Sequence, residues 1–151
     1  MTIEKKKNMK KSQTDKIPIS VVFIGPPGSG KGTTANFLQK EFNIIPISPG
    51  NIFKNLRSED SELSKLVVES TKNGGLCPDH LTNKVVSNEI QKILNESEQL
   101  LSLDGYPRTL DQFYYLKENY DVSLFIHAST NWLKLKSMIL NRRNCKHCKK
   151  V

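Results

Sequence analysis

Apolar residues in this chain come in short runs ending at glycine or proline, separated by longer stretches where they recur at helical spacing. Ile19, Val21, Val22, Phe23 and Ile24 crowd one such run before Gly25, as in a strand buried on both faces, and this is the expected centre of a sheet. A helix is predicted over 31–41, with Ala35, Leu38 and Phe42 on one face, followed by a short strand over 44–47. Another helical region opens at Ser48. Residues 61–73 read as a helix with Leu63, Leu66 and Val67 inward, stopped by Gly74 and Gly75. Between 80 and 95, Leu81, Val85, Val86, Ile90, Ile93 and Leu94 keep helical spacing, so this helix should pack along the sheet. Residues 100–103 and 122–127 supply two more strands, with Gln112 on the helix between them. Ser129, Thr130 and Asn131 offer caps for a last helix through Leu140, and Trp132 is expected to pack. Strands and helices alternating in this order predict an α/β fold with a doubly wound parallel sheet.

The chemistry concentrates where the first strand ends. Gly25, Pro26, Pro27, Gly28, Ser29, Gly30, Lys31, Gly32 and Thr33 are consecutive, and glycine at this density lets the backbone turn tightly enough to aim successive N–H groups into one hollow. The helix that follows points its positive dipole end at the same hollow, which suits a phosphate chain. The spacing from Gly25 to Gly30 and Lys31 is that of a phosphate-binding loop, with Lys31 able to reach the β- and γ-phosphates of a nucleoside triphosphate. Where the generic pattern has a Ser or Thr for Mg²⁺ this chain has Gly32, and the hydroxyl comes one residue later, at Thr33.

A second signal follows Leu103. The third strand ends in Asp104, placing a carboxylate at the carboxyl edge of the sheet beside the phosphate loop, where it can order a water on Mg²⁺. Arg108 follows at a distance that lets it reach between two phosphate sites.

Composition narrows the partners. With 151 residues, 36% of them apolar and 25% charged, the chain reads as one soluble globular domain, and no apolar stretch approaches a membrane span. The net charge of +8 sits at the two ends. Residues 1–16 carry six lysines and no apolar core, which predicts a disordered basic tail rather than a signal or transit peptide. Arg142, Arg143, Lys146, Lys149 and Lys150 load the other end. The body between is close to neutral and offers no specific nucleic-acid face. Three cysteines, Cys77, Cys145 and Cys148, make no disulfide framework, and a reducing, cytoplasmic setting is expected.

The Gly30-Lys31-Gly32-Thr33 loop, together with Asp104-Gly105-Tyr106-Pro107-Arg108-Thr109 and Gln112, resembles the adenylate kinase group of nucleoside monophosphate kinases. The likeness runs from Pro18 to Val151. It implies a P-loop kinase fold with strand order 2-3-1-4, four of the family's usual five strands. It further implies a core over 17–141, a monophosphate-binding insertion over about 48–79, and over 142–151 the start of a truncated lid. The implied partners are ATP, with Mg²⁺, and AMP, bound by a monomer. The implied reaction is reversible phosphoryl transfer giving two ADP.

By the same resemblance Gly28, Ser29, Gly30, Lys31, Gly32, Thr33 and Arg142 would bind the triphosphate. Lys31, Asp104, Arg108 and Arg142 would carry catalysis. Gln112 would hydrogen-bond adenine, and Gly105 and Arg108 would meet the acceptor. Pro49 stands where the family has a threonine touching the base, Lys54 where it has an arginine gripping the monophosphate, and Cys77 where an apolar valine lines the base. Lys54 keeps a charge but not the planar fork of arginine. Met138 takes the place of an arginine that stacks on the donor's adenine. Cys145 and Cys148 match half of the family's four-ligand zinc site, so zinc is expected only in a complete lid. With the fifth strand, most of the lid and a second arginine pair missing, a large loss of activity is expected. A non-catalytic nucleotide-binding remnant, and a kinase for another nucleoside monophosphate, stay open as alternatives.

Overall fold

The computed structural model describes residues 16–72, 76–96 and 98–142, the side chains of 141 and 142 excepted. Four strands, β1 (Ile17–Ile24), β2 (Ile44–Ile47), β3 (Leu100–Asp104) and β4 (Tyr120–His127), form one sheet in the order β2-β3-β1-β4 with every pairing parallel. The helices are α1 (Lys31–Phe42), α2 (Pro49–Leu56), α3 (Glu62–Thr71), α4 (Asp79–Glu96), α5 (Leu110–Asn119) and α6 (Trp132–Arg142). This is the α/β doubly wound sheet that the alternation of elements predicts, in the strand order that the family resemblance implies. Among the described residues no helix is long and apolar enough to cross a membrane.

β1 is central because it can be buried on both sides. Ile19 and Val22 join Val86 and Ile90 of α4, Leu101 and Leu103 of β3, and Leu116 of α5 in the main core, while Val21 and Phe23 pack with Ala35 of α1. β2 lies at an edge of the sheet, where Pro46, with no N–H to donate, is tolerated. A smaller core of Leu56, Val67 and Val85 joins α2, α3 and α4.

Capping follows the side chains available. The Ser61 hydroxyl accepts from the Ser64 N–H at 3.1 Å at the start of α3, and Thr109 accepts from the Gln112 N–H at 3.2 Å at the start of α5. Of the three candidates before α6, Asn131 is the one that caps: its Oδ1 accepts from the Leu133 N–H at 2.8 Å.

Three inward assignments are corrected. Phe42 is 61% exposed because it closes α1 beyond the turns of Ala35 and Leu38 that meet the sheet. Leu66 is 52% exposed, since it sits about 100° around α3 from Val67, the residue turned towards α2 and α4. Trp132, expected to pack, is 71% exposed as the first residue of α6. The Gly74–Gly75 helix stop and the tail over 1–15 lie outside the described residues; Lys16, next to that tail, donates its ammonium to the Lys117 carbonyl at 2.7 Å.

Candidate active site

Parallel pairing fixes where the chemistry meets. β1 and β3 run side by side with Phe23 opposite Asp104, so the loop leaving β1 and the carboxylate ending β3 emerge at the same sheet edge. Gly25 leaves the strand at φ 145°, and a Cβ there would run into the Ala128 carbonyl oxygen. The loop is thus pinned to the segment after β4, where the Ala128 N–H also donates to the Ile24 carbonyl at 2.8 Å. Gly28, at φ 86°, lies over Ile139 and Leu135 of α6, which back the loop from behind.

Gly30 starts α1 from a left-handed conformation and supplies no side-chain cap. The first helical N–H to close an i to i−4 bond is that of Thr34, onto the Gly30 carbonyl at 3.0 Å. The preceding amides, of Lys31, Gly32 and Thr33, are the orphan donors of the helix start. Lys31 curls back over the loop, donating to the Pro26 carbonyl at 2.8 Å, with the Ser29 hydroxyl at 3.5 Å.

A cavity of about 560 Å³ opens at this edge, lined by Gly28, Gly30, Lys31 and Gly32 on one side and by Asp104, Gly105 and Arg108 on the other. A Cβ added to Gly32 would lie 3.4 Å from the Asp104 Oδ2, so the carboxylate stands within van der Waals reach of the helix start. The hollow therefore gathers amide dipoles, one ammonium and one carboxylate, and its size fits a polyphosphate. Among the described residues no group of three or more His, Cys, Asp or Glu could hold a metal by itself. One carboxylate beside a phosphate site is, however, the usual protein share of a Mg²⁺ site.

A second cavity, of about 330 Å³, lies between α2, α3 and the loop after β3. Its walls include Pro49 and Phe53 of α2 and Arg57 at the cap of that helix, with Cys77, Asp79 and Gln112 opposite. Gly105 and Arg108 line both cavities. Arg108 folds over Gly105, donating from Nε to the Gly105 carbonyl at 2.7 Å, and Gly105 takes φ 74°, a conformation natural to glycine.

The remaining expected residues divide. Pro49, Cys77, Gly105 and Gln112 line the smaller cavity; Ser29 touches Lys31; Thr33 is exposed and lines neither cavity. Lys54 is exposed and lines neither one, whereas Arg57, three residues on, lines the smaller. The Arg142 side chain, Cys145 and Cys148 lie outside the described residues. Sequence reasoning passed over Ser48, which lines the larger cavity, and Phe53, Arg57 and Asp79, which line the smaller. For Phe53 and Arg57 a signal existed, their spacing of four and eight residues from Pro49 on one helical face.

Tyr106 is wholly buried beneath this junction, its hydroxyl donating to the Asn83 Oδ1 at 2.6 Å. Burial pushes its phenol well above the ordinary tyrosine range, with nearby Tyr120, Tyr115 and Asp79 adding to the effect.

Comparison with known proteins agrees with this geometry. The family model for adenylate kinase matches residues 23–146. An adenylate kinase of Ureaplasma urealyticum is 35% identical over 131 residues, covering 86% of this chain and 61% of that relative. One from Thermosipho africanus is 38% identical over 138 residues, covering 88% and 64%, and one from Borrelia recurrentis is 37% identical over 133, covering 88% and 61%. The chain thus spans somewhat under two thirds of the length of the relatives it matches. With the phosphate loop, the strand-end carboxylate and the paired cavities all inside the matched stretch, the chain belongs to the adenylate kinase family.

Proposed function

We propose that this chain carries the nucleotide-binding core of an enzyme that moves the γ-phosphoryl group of ATP reversibly onto AMP, giving two ADP, in the cytoplasm. The observation carrying this reading is that Arg108 and Gly105 line two cavities at once, one built from the phosphate loop and one enclosed by α2, α3 and α4. Two nucleotides seated there would bring their phosphates together at Arg108.

The loop amides and Lys31 suit the triphosphate, with Lys31 exchanging the Pro26 carbonyl for phosphate oxygens. Mg²⁺, when bound, would supply charge neutralisation at the phosphates, and Asp104 is the residue proposed to hold it. Arg108 offers a planar fork to the acceptor phosphate once it releases Gly105. The apolar walls at Pro49, Phe53 and Cys77 take a base and exclude water. Phosphoryl transfer needs little from the protein beyond this positioning and charge stabilisation. Arg142, at the end of α6, is proposed to approach the triphosphate.

The test is a coupled assay with ATP and AMP, run beside calorimetric binding of each nucleotide. ADP formation that requires both substrates supports the proposal. Binding of ATP with no product under any acceptor would favour a non-catalytic nucleotide-binding role, and turnover with another monophosphate in preference to AMP would reassign the acceptor.

A further inference from the structure

Gln112 lines the acceptor cavity yet is only 5% exposed, and both ends of its amide are taken up inside the protein. Its Oε1 accepts from the Arg108 N–H at 2.8 Å, and its Nε2 donates to the Asp79 Oδ1. The other Asp79 oxygen accepts from the Thr109 hydroxyl at 2.7 Å, and that hydroxyl accepts in turn from the Gln112 N–H. The start of α4 is thereby tied to the start of α5 and to the segment that presents Arg108. Among the described residues no lysine or arginine pairs with Asp79.

An ionised carboxylate only accepts hydrogen bonds, whereas a glutamine amide has one donating and one accepting end. Asp79 therefore decides which way the Gln112 amide faces. With its NH₂ drawn to Asp79, Gln112 has only its oxygen left for the Arg108 N–H. Reversing the amide would set oxygen against carboxylate and NH₂ against N–H, two repulsions in a nearly buried site.

We propose that Asp79 is a positioning residue for phosphoryl acceptance: it orients the Gln112 amide, and through it holds the Arg108 backbone at the junction of the two cavities. In this arrangement Gln112 spends one N–H on Asp79 and its oxygen on the Arg108 N–H, and its second N–H has no protein partner among the described residues. The inference rests on the proposed reaction for its kinetic consequence, but the network itself has an independent readout.

The experiment exchanges the two functional groups. Gln112→Glu sets a carboxylate against Asp79 and should raise the KM for AMP by about tenfold or more while leaving that for ATP within about twofold. Adding Asp79→Asn restores a donor facing an acceptor and leaves one oxygen of the introduced carboxylate for the Arg108 N–H, so the double variant should return to within about threefold of the parent. Exchange of the Arg108 amide hydrogen, followed by NMR on the same proteins, should speed up in the single variant and slow again in the double. Failure of the double variant to recover in either readout, with melting temperatures unchanged, would overturn the proposal. If the parent binds no AMP, the proposed reaction fails, and the Arg108 exchange rates still decide the network.

Discussion

Gly32 and Asp104 face each other across the hollow at close quarters: a Cβ on residue 32 would lie in van der Waals contact with the carboxylate, 3.4 Å from its Oδ2. Many phosphate loops place a metal-binding hydroxyl at the position after the lysine. Here that place is filled by Gly32, and on the proposed reading Asp104, at the end of the neighbouring strand, would supply the metal-directed oxygen. Asp104→Asn should therefore lower activity about 10- to 100-fold and raise the Mg²⁺ concentration for half-maximal rate, without impairing the binding of metal-free ATP. A Mg²⁺ titration of both proteins checks this; an unchanged half-maximal concentration would remove Asp104 from the metal site.

Lys31 contributes little to the fold, since among the described residues its ammonium bonds only to the Pro26 carbonyl and the Ser29 hydroxyl within its own loop. Lys31→Met should lower kcat by about 10²- to 10³-fold while shifting stability by less than about 1 kcal/mol. Steady-state kinetics and a urea melt on the same sample separate the two effects. A collapse of stability would mean that the loop needs the ammonium to close.

Lys54 lies on α2 and Arg57 caps its end, yet of the two only Arg57 lines the smaller cavity. Of these two, Arg57 is the cation that a nucleotide in that cavity would meet, beside Arg108. Arg57→Ala should weaken AMP binding by about three- to tenfold, and Lys54→Ala by less than about twofold. Calorimetric titration with AMP decides it; the opposite ranking would show that α2 turns on binding.

These cases show why the fold was more legible than the site. A β-branched run ending in glycine, then lysine and a helical repeat, can hardly be anything but a buried strand leading into a phosphate loop, and β1 and α1 follow it closely. The meeting of Lys31 with Asp104 was also readable, because parallel strands deliver their carboxyl ends to one edge. The hydrogen bonds of Gln112 were not, since a side-chain amide has no direction until its neighbours are known, and Asp79 lies far away in sequence. Trp132, Leu66 and Phe42 misled for a related reason: periodicity identifies a helical face but not where along the helix the neighbouring element stops.

Tyr106 couples the loop after β3 to α4 and gives the protein a sensitivity to alkali. Its phenol is wholly buried, bonded to Asn83, and held above its ordinary pKa of about 10, chiefly by loss of hydration. Tyr120 is raised too, chiefly by burial. Below about pH 10 both phenols are protonated in the folded and unfolded chains, and their full contribution to stability is present. As pH rises through that value the unfolded chain releases these protons first, so the unfolded state is favoured, by up to about 1.4 kcal/mol per pH unit for each tyrosine. Tyr106→Phe should cost about 1 to 3 kcal/mol at neutral pH, because the Asn83 oxygen loses its donor, yet show a shallower loss of stability above about pH 10. Urea unfolding midpoints from about pH 8 to about pH 11 for the two proteins test this, and parallel curves would show that Tyr106 ionises as readily in the folded chain as in the unfolded one.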